Sequence, residues 1–190
     1  MIRIGILGDI GSGKSYVAKK FGHPVFDADF EVSKLYKKDK KVFKKLKKIL
    51  PNYFSSFPIK KYEISDAILS NKKNLKRIIQ IVHLEVRKKL ISFLKKNKNK
   101  KFIILDIPLL LENKINNKKD ILIFIKSKKS EVTKRLKKRK NFNKELIKKF
   151  RNIQLSLDYK KKKSQYVIKN DFKEKTFLKY IKNILNKVSK

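Results

Sequence analysis

Cysteine is absent from the 190 residues, which excludes a disulfide scaffold, a thiolate zinc site and a cysteine nucleophile. The only two histidines, His23 and His83, lie too far apart to form a metal cluster. No apolar run reaches the roughly 18 residues that a membrane-crossing helix needs. Arg3 and Asp9 interrupt the apolar first ten residues and a glycine-rich turn follows, unlike a signal peptide, so the expectation is a cytoplasmic protein without membrane association. Alanine, proline and arginine are scarce too. Glycine is scarce and confined: all five glycines fall within the first 22 residues, and Gly8, Gly11 and Gly13 lie within six. Such a cluster in a glycine-poor chain needs a backbone reason.

What is abundant is lysine. Lys+Arg number 54 against 16 Asp+Glu, a formal net charge of +38. A charge of this size invites a nucleic-acid reading. Lys, Asn, Ile and Phe together exceed half the chain. All four have AT-rich codons, and the lysines are spread along the whole sequence rather than gathered on one face. Codon drift over solvated surfaces therefore outweighs nucleic-acid binding, and no specific nucleic-acid partner is expected. The 41% hydrophobic content is enough for a core.

The apolar run Ile2–Leu7 ends in the glycine turn, and residues 12–21 follow as a helix. A second short strand is expected at 24–27. Residues 30–50 carry Leu35, Val42, Phe43, Leu46, Ile49 and Leu50 at helical spacing, and 51–58 is a loop. A long helix is predicted over 72–96, because Leu75, Ile78, Ile79, Val82, Val86, Leu90 and Leu94 form one apolar stripe. Continuous apolar runs at 102–106 and 121–125 read as buried strands. Helices at 131–139 and 143–160, a strand at 166–168 and a helix at 172–188 complete the chain. Strands alternating with helices give an α/β fold with a parallel sheet.

Residues Gly8-Asp9-Ile10-Gly11-Ser12-Gly13-Lys14-Ser15 fit G-x-x-x-x-G-K-[ST] at every fixed position, between a strand and a helix. Glycines let successive backbone N–H groups turn inward as an anion nest, and the helix start adds partial positive charge. In this motif Lys14 reaches the β and γ phosphates of a nucleoside triphosphate, and the Ser15 hydroxyl ligates Mg²⁺. Asp9 is a misfit, since an acid there repels phosphate. Its side chain is expected to point to solvent, so that Asp9→Gly leaves or tightens ATP affinity.

Asp27-Ala28-Asp29 follows the second strand, and Asp106 ends the third. Ligands of parallel sheets sit beyond the carboxyl ends of strands. Asp29 can accept a proton from an acceptor hydroxyl, or serve as a helix N-cap, or do both. His83 and Arg87 share a face of the long helix. Arginine is informative because there are only six against 48 lysines; Arg87, Arg135, Arg139 and Arg151 stand where phosphate could be held.

At this point the chain resembles the dephospho-CoA kinase family over nearly its whole length. The residues that carry the resemblance are G-S-G-K-S (11–15), D-A-D (27–29) and His-Leu-Glu-Val-Arg (83–87), which is similar to H-P-x-V-R. Asp-Ile-Pro-Leu-Leu-Leu-Glu (106–112) is similar to D-x-P-L-L-x-E, and Arg-Leu-Lys-Lys-Arg (135–139) to the lid's R-L-x-x-R. Gln154 and Tyr-Val-Ile-Lys-Asn (166–170) complete the series. Departures are Asp9 for the usual glycine, Tyr16 where threonine is common, Leu84 for proline and Lys140 for an acid.

The resemblance implies a P-loop NTPase fold, three layers α/β/α around a mostly parallel five-stranded sheet, with a helical substrate-binding insert (about 30–100) and a short helical lid (about 135–152) in one domain, 1–190. It implies transfer of the ATP γ-phosphoryl group to the ribose 3′-hydroxyl of dephospho-CoA, with Mg²⁺, by a monomer. Asp29 would be the base, assisted by Lys14 and Arg139. Gly8, Gly11, Ser12, Gly13, Lys14, Ser15, Tyr16, Arg139 and Asn170 would bind ATP, with Asn170 near the adenine. Asp29, His83, Arg87 and Asp106 would bind the acceptor. The alternatives are another small-molecule or nucleotide kinase of this fold, and a basic nucleic-acid-binding module.

Overall fold

The computed structural model describes residues 1–140 and 142–189, with only the backbone at 174 and 175. Five strands, β1 (Ile2–Gly8), β2 (Val25–Asp27), β3 (Phe102–Asp106), β4 (Ile121–Lys126) and β5 (Tyr166–Lys169), pair in parallel in the order β2-β3-β1-β4-β5. The strands read as unbroken apolar runs because the sheet is covered on both faces. Along β1, Ile4 and Ile6 point to one face. There they join Ile104, Ile123, Ile125 and Ile168 in a buried cluster with Val17, Ala18 and Phe21 of α1 (Lys14–Lys19). On the other face Leu110, in the turn after β3, packs over Gly5.

After β2 the chain runs through α2 (Ala28–Lys38), α3 (Lys40–Ile49), α4 (Lys61–Ser70) and α5 (Lys72–Lys96). After β4 come α6 (Lys129–Lys137), α7 (Lys144–Asn152) and α8 (Leu157–Lys163), and α9 (Glu174–Val188) follows β5. Phe177, Ile181 and Ile184 of α9 complete the sheet cluster.

The chain divides into two compact units. The first, Met1–Asp27 with Asn97–Phe142 and Arg151–Lys190, contains the sheet. The second is Ala28–Lys96 with Asn143–Phe150. Within it α2, α3 and α4 pack on α5, whose Leu75, Ile78, Val82, Val86 and Leu90 are buried at the spacing the apolar stripe requires. In the same unit, Lys149 of α7 donates to two carbonyls in the last turn of α4, Ile68 and Leu69, at 2.9 and 2.8 Å.

The stretch with helical spacing at 30–50 and the helix expected over 143–160 are each divided, by a short polar residue that offers the backbone another partner. Asp39 accepts from the N–H groups of Lys41 and Val42 and starts α3 afresh. Ser156 accepts from the Tyr159 N–H and starts α8, so the expected helix over 143–160 is two. Helix α4 was not expected from the sequence. It is set by Glu63, which accepts from the Lys60 N–H at 2.8 Å and from Ser55 N–H and Oγ at 3.0 Å. The last helix starts at 174 rather than 172, because Phe172 takes a left-handed φ of 65°.

Candidate active site

The sheet unit holds the glycine loop. Ser12 N–H donates to the Asp9 carbonyl at 3.2 Å, which closes the turn, and Gly13 caps α1 with φ 88° and ψ 17°. Two glycines here are required by approach as well as by backbone. A Cβ on Gly11 (φ 84°) would sit 2.8 Å from Leu136 Cγ of α6, and one on Gly13 would sit 2.5 Å from Asn170 Nδ2. Hence α6 and the segment after β5 both bear directly on the loop.

Asn170 is buried, and its amide donates to the Ser12 carbonyl at 2.9 Å while its Oδ1 accepts from the Phe172 N–H. Ser127 Oγ donates to the same Ser12 carbonyl at 3.0 Å. In a trans peptide the carbonyl and the following N–H point opposite ways. Holding the Ser12 carbonyl therefore turns the Gly13 N–H away from Asn170. Ser12 Oγ is buried and has no hydrogen-bond partner among the described residues.

Lys14 folds back over the loop, donating from Nζ to the carbonyls of Asp9 at 2.7 Å and Gly8 at 3.2 Å. Ser15 is exposed, and half-exposed Tyr16 stands edge-on to Phe177 of α9 with ring centroids 5.5 Å apart. The donor set is thus an ammonium, an unpartnered loop hydroxyl and an open hydroxyl on a backbone nest, which suits a polyphosphate with its cation.

Asp9 does not simply point to solvent as expected. Its Oδ1 accepts from the Ile10 N–H at 2.7 Å, and its carboxylate receives a two-pronged bond from Arg151, Nε to Oδ1 at 3.1 Å and Nη2 to Oδ2 at 2.8 Å. Arg135 stacks over the Phe172 ring at 4.2 Å. Arg139 is exposed just past α6, its backbone N–H bonded to the Leu136 carbonyl. Asn141, inside the expected lid, lies outside the described residues.

At the sheet's carboxyl edge Asp27 and Asp106 are direct register partners on β2 and β3, and Asp106 is buried. Glu112, six residues on, accepts from the Leu155 N–H at 2.9 Å and from Lys160 Nζ at 2.8 Å.

The second unit carries Asp29, His83 and Arg87. Helix α2 begins at Ala28, so exposed Asp29 is inside the first turn and not the N-cap residue. There, with Glu31, it faces the positive end of the helix. On α5 His83 is half-buried and Arg87 exposed, one turn apart. Between them Glu85 is held by Lys88 and Lys45 at 3.1 and 3.2 Å; hydrogen bonding from Lys88 leads in holding its carboxyl below the usual range.

Of the expected residues, the sheet unit brings together Gly8, Gly11, Ser12, Gly13, Lys14, Ser15, Tyr16 and Asn170, with Asp106 at the strand end. Sequence reasoning missed Ser127, Leu136 and the Glu112–Lys160 pair. One lysine among 48 carries no signal of its own, and the glycine cluster pointed to a backbone requirement but not to the groups that crowd the loop.

Comparison with known proteins bears on this arrangement. The dephospho-CoA kinase family model matches residues 2–175. A dephospho-CoA kinase of Wolbachia sp. subsp. Brugia malayi (strain TRS) is 35% identical over 191 residues, covering 98% of this chain and 97% of its own. One from Rickettsia felis is 34% identical over 172 residues, covering 88% and 87%. Among solved structures, a Thermus thermophilus protein superposes with a TM-score of 0.79 at 26% identity, covering 98% and 97%. Dephospho-CoA kinase from Campylobacter jejuni superposes at 0.63 with 21% identity, covering 98% and 96%, a likeness of fold.

Proposed function

The chain belongs to the dephospho-CoA kinase family, and we propose how its own residues carry the transfer of the ATP γ-phosphoryl group to the 3′-hydroxyl of dephospho-CoA. The observation that carries the reading is the glycine loop with Lys14 laid along it and its backbone fixed by Asn170. ATP takes the place of the two carbonyls that Lys14 now contacts, so that its ammonium meets the β and γ phosphates.

Mg²⁺ neutralises phosphate charge when bound. Among the described residues no cluster of three or more carboxylates and histidines exists to cage it. A cation held by one hydroxyl, phosphate oxygens and water is ordinary for Mg²⁺, and Ser15 is the residue that would hold it.

Asp29 is the base. The acceptor oxygen forms its bond to the γ-phosphorus as the bond to the β-phosphate bridging oxygen breaks. The electron pair leaves with ADP, and the hydroxyl proton passes to the Asp29 carboxylate. His83 and Arg87, from the helical insert at about 30–100, hold the acceptor, with Asp106 as a further contact. Arg139, on a lid at about 135–152, offsets charge on the moving phosphoryl group. Positioning and electrostatics supply most of the acceleration. The reading places this activity in a cytoplasmic monomer built as one kinase domain. Among the described residues no helix is long and apolar enough to cross a membrane.

The direct test is incubation with ATP, Mg²⁺ and dephospho-CoA, followed by mass detection of CoA. CoA at an increment of one phosphoryl group is the expected product. ADP release that requires a different acceptor would redirect the assignment to another small-molecule kinase.

A further inference from the structure

Asp9 is a carboxylate inside a phosphate-binding loop. Its own carbonyl takes the Lys14 ammonium at 2.7 Å, so a polyphosphate drawn by Lys14 comes close to the Asp9 side chain. Left alone, that charge opposes the ligand, since like charges a few ångströms apart repel by several RT even at a surface-like dielectric of about 20. It is not left alone. Both carboxylate oxygens receive the Arg151 guanidinium, at 3.1 and 2.8 Å, in the fork geometry that lysine cannot reproduce. In a chain with 48 lysines and six arginines, the counter-charge at this point is an arginine.

A surface ion pair alone usually contributes little. Here the arginine is presented by an anchored segment. Gln154 N–H donates to the Arg151 carbonyl at 3.0 Å. Gln154 Oε1 accepts from Lys160 Nζ at 3.1 Å, and Lys160, 1% exposed, is ion-paired to Glu112 at 2.8 Å. Glu112 also accepts from the Leu155 N–H. The stretch from Arg151 to Lys160 is therefore pinned to the turn after β3 at Glu112 and to the loop at Asp9.

We propose that Asp9 and Arg151 act as one unit in nucleotide binding: Arg151 is a positioning residue that cancels the repulsion of Asp9, and Asp9 holds Arg151 at the face the triphosphate approaches. The proposal rests on the reading that the loop takes ATP. It assigns Arg151 no contact with the reacting atoms.

The test is a charge-rescue series on the full chain, reading the affinity of a fluorescent ATP analogue without acceptor at two salt concentrations. Arg151→Met, which exposes the Asp9 charge, weakens binding about tenfold or more, with the deeper loss at low salt, where screening is weakest. Adding Asp9→Asn to Arg151→Met removes the charge and restores binding to within about threefold of the parent. Arg151→Lys, which keeps the charge without the fork, falls between the parent and Arg151→Met. The proposal is overturned if Arg151→Met binds as the parent does, or if the double variant is as weak as Arg151→Met. Melting temperatures confirm that each variant is folded, and Arg151→Lys carries the test if Arg151→Met is not. The parent protein's own ATP binding and CoA formation are run in parallel. Their failure would remove the functional reading, whereas uncoupled variants of an active parent remove only the Asp9–Arg151 unit.

Discussion

The side-chain amide of Asn170 donates to the Ser12 carbonyl at 2.9 Å across 158 residues of chain, and its Nδ2 fills the space a Gly13 side chain would need. The glycine loop is thus shaped from outside, by a residue beyond the last strand. Asn170→Leu keeps the bulk but leaves the Phe172 N–H without its acceptor and Ser12 with Ser127 alone. Each buried polar group left unpaired costs about 1–3 kcal/mol. Urea denaturation is expected to show a loss in that range, and ATP affinity to fall with it. Unchanged ATP binding would mean that the loop holds its shape without Asn170.

Lys14 and Asp29 are assigned to separate steps, which predicts separate defects. Lys14→Ala and Asp29→Asn both abolish CoA formation. Only Lys14→Ala is expected to weaken ATP binding strongly, because the role proposed for Asp29 is on the acceptor. An active Asp29→Asn protein would refute the base assignment.

Lys160 is 1% exposed and its ammonium rests on Glu112 and Gln154. Lys160→Met leaves the Glu112 carboxylate inside without its counter-charge, and removing one partner of a buried pair costs about 3–5 kcal/mol. Replacing both, with Glu112→Gln added, is expected to recover part of that loss. A single variant as stable as the parent in chemical denaturation would show the pair to be solvated.

Glu63 links stability to pH. Burial pushes its carboxyl up, but the bonds from the Lys60 and Ser55 N–H groups and the Ser55 hydroxyl, with the Lys60 charge, together outweigh burial and hold it below the usual value of 4.5. A carboxyl lowered in the folded state stabilises fully above its unfolded pKa. That contribution is lost as pH falls through the folded pKa. Between about pH 5 and pH 3 the parent should therefore lose stability more steeply than Glu63→Gln, measured as melting temperature against pH. Parallel curves for the two proteins would deny Glu63 this role.

The strands were legible because residues buried on both faces are apolar in an unbroken run, as at 102–105, with a carboxylate only at the strand end. The long helix was legible because a stripe at 3.6-residue spacing survives lysine enrichment of the other faces. The breaks at Asp39 and Ser156 were not. A single short polar residue ends a helix only if its side chain turns onto the backbone, and that choice is local geometry rather than pattern.

By itself the sequence determined the motif: a glycine loop with Lys14 and Ser15, carboxylates at the ends of apolar runs, and six arginines among 48 lysines. Tertiary structure alone decided what each of them touches. Asp9 is read as a solvent-facing misfit until Arg151, 142 residues away, closes on it. Asn170 is read as an ATP-binding residue near the adenine, and the fold gives its amide to the Ser12 carbonyl. Both relations join residues far apart in the chain, and their strength depends on distance and direction in space, which residue order does not encode.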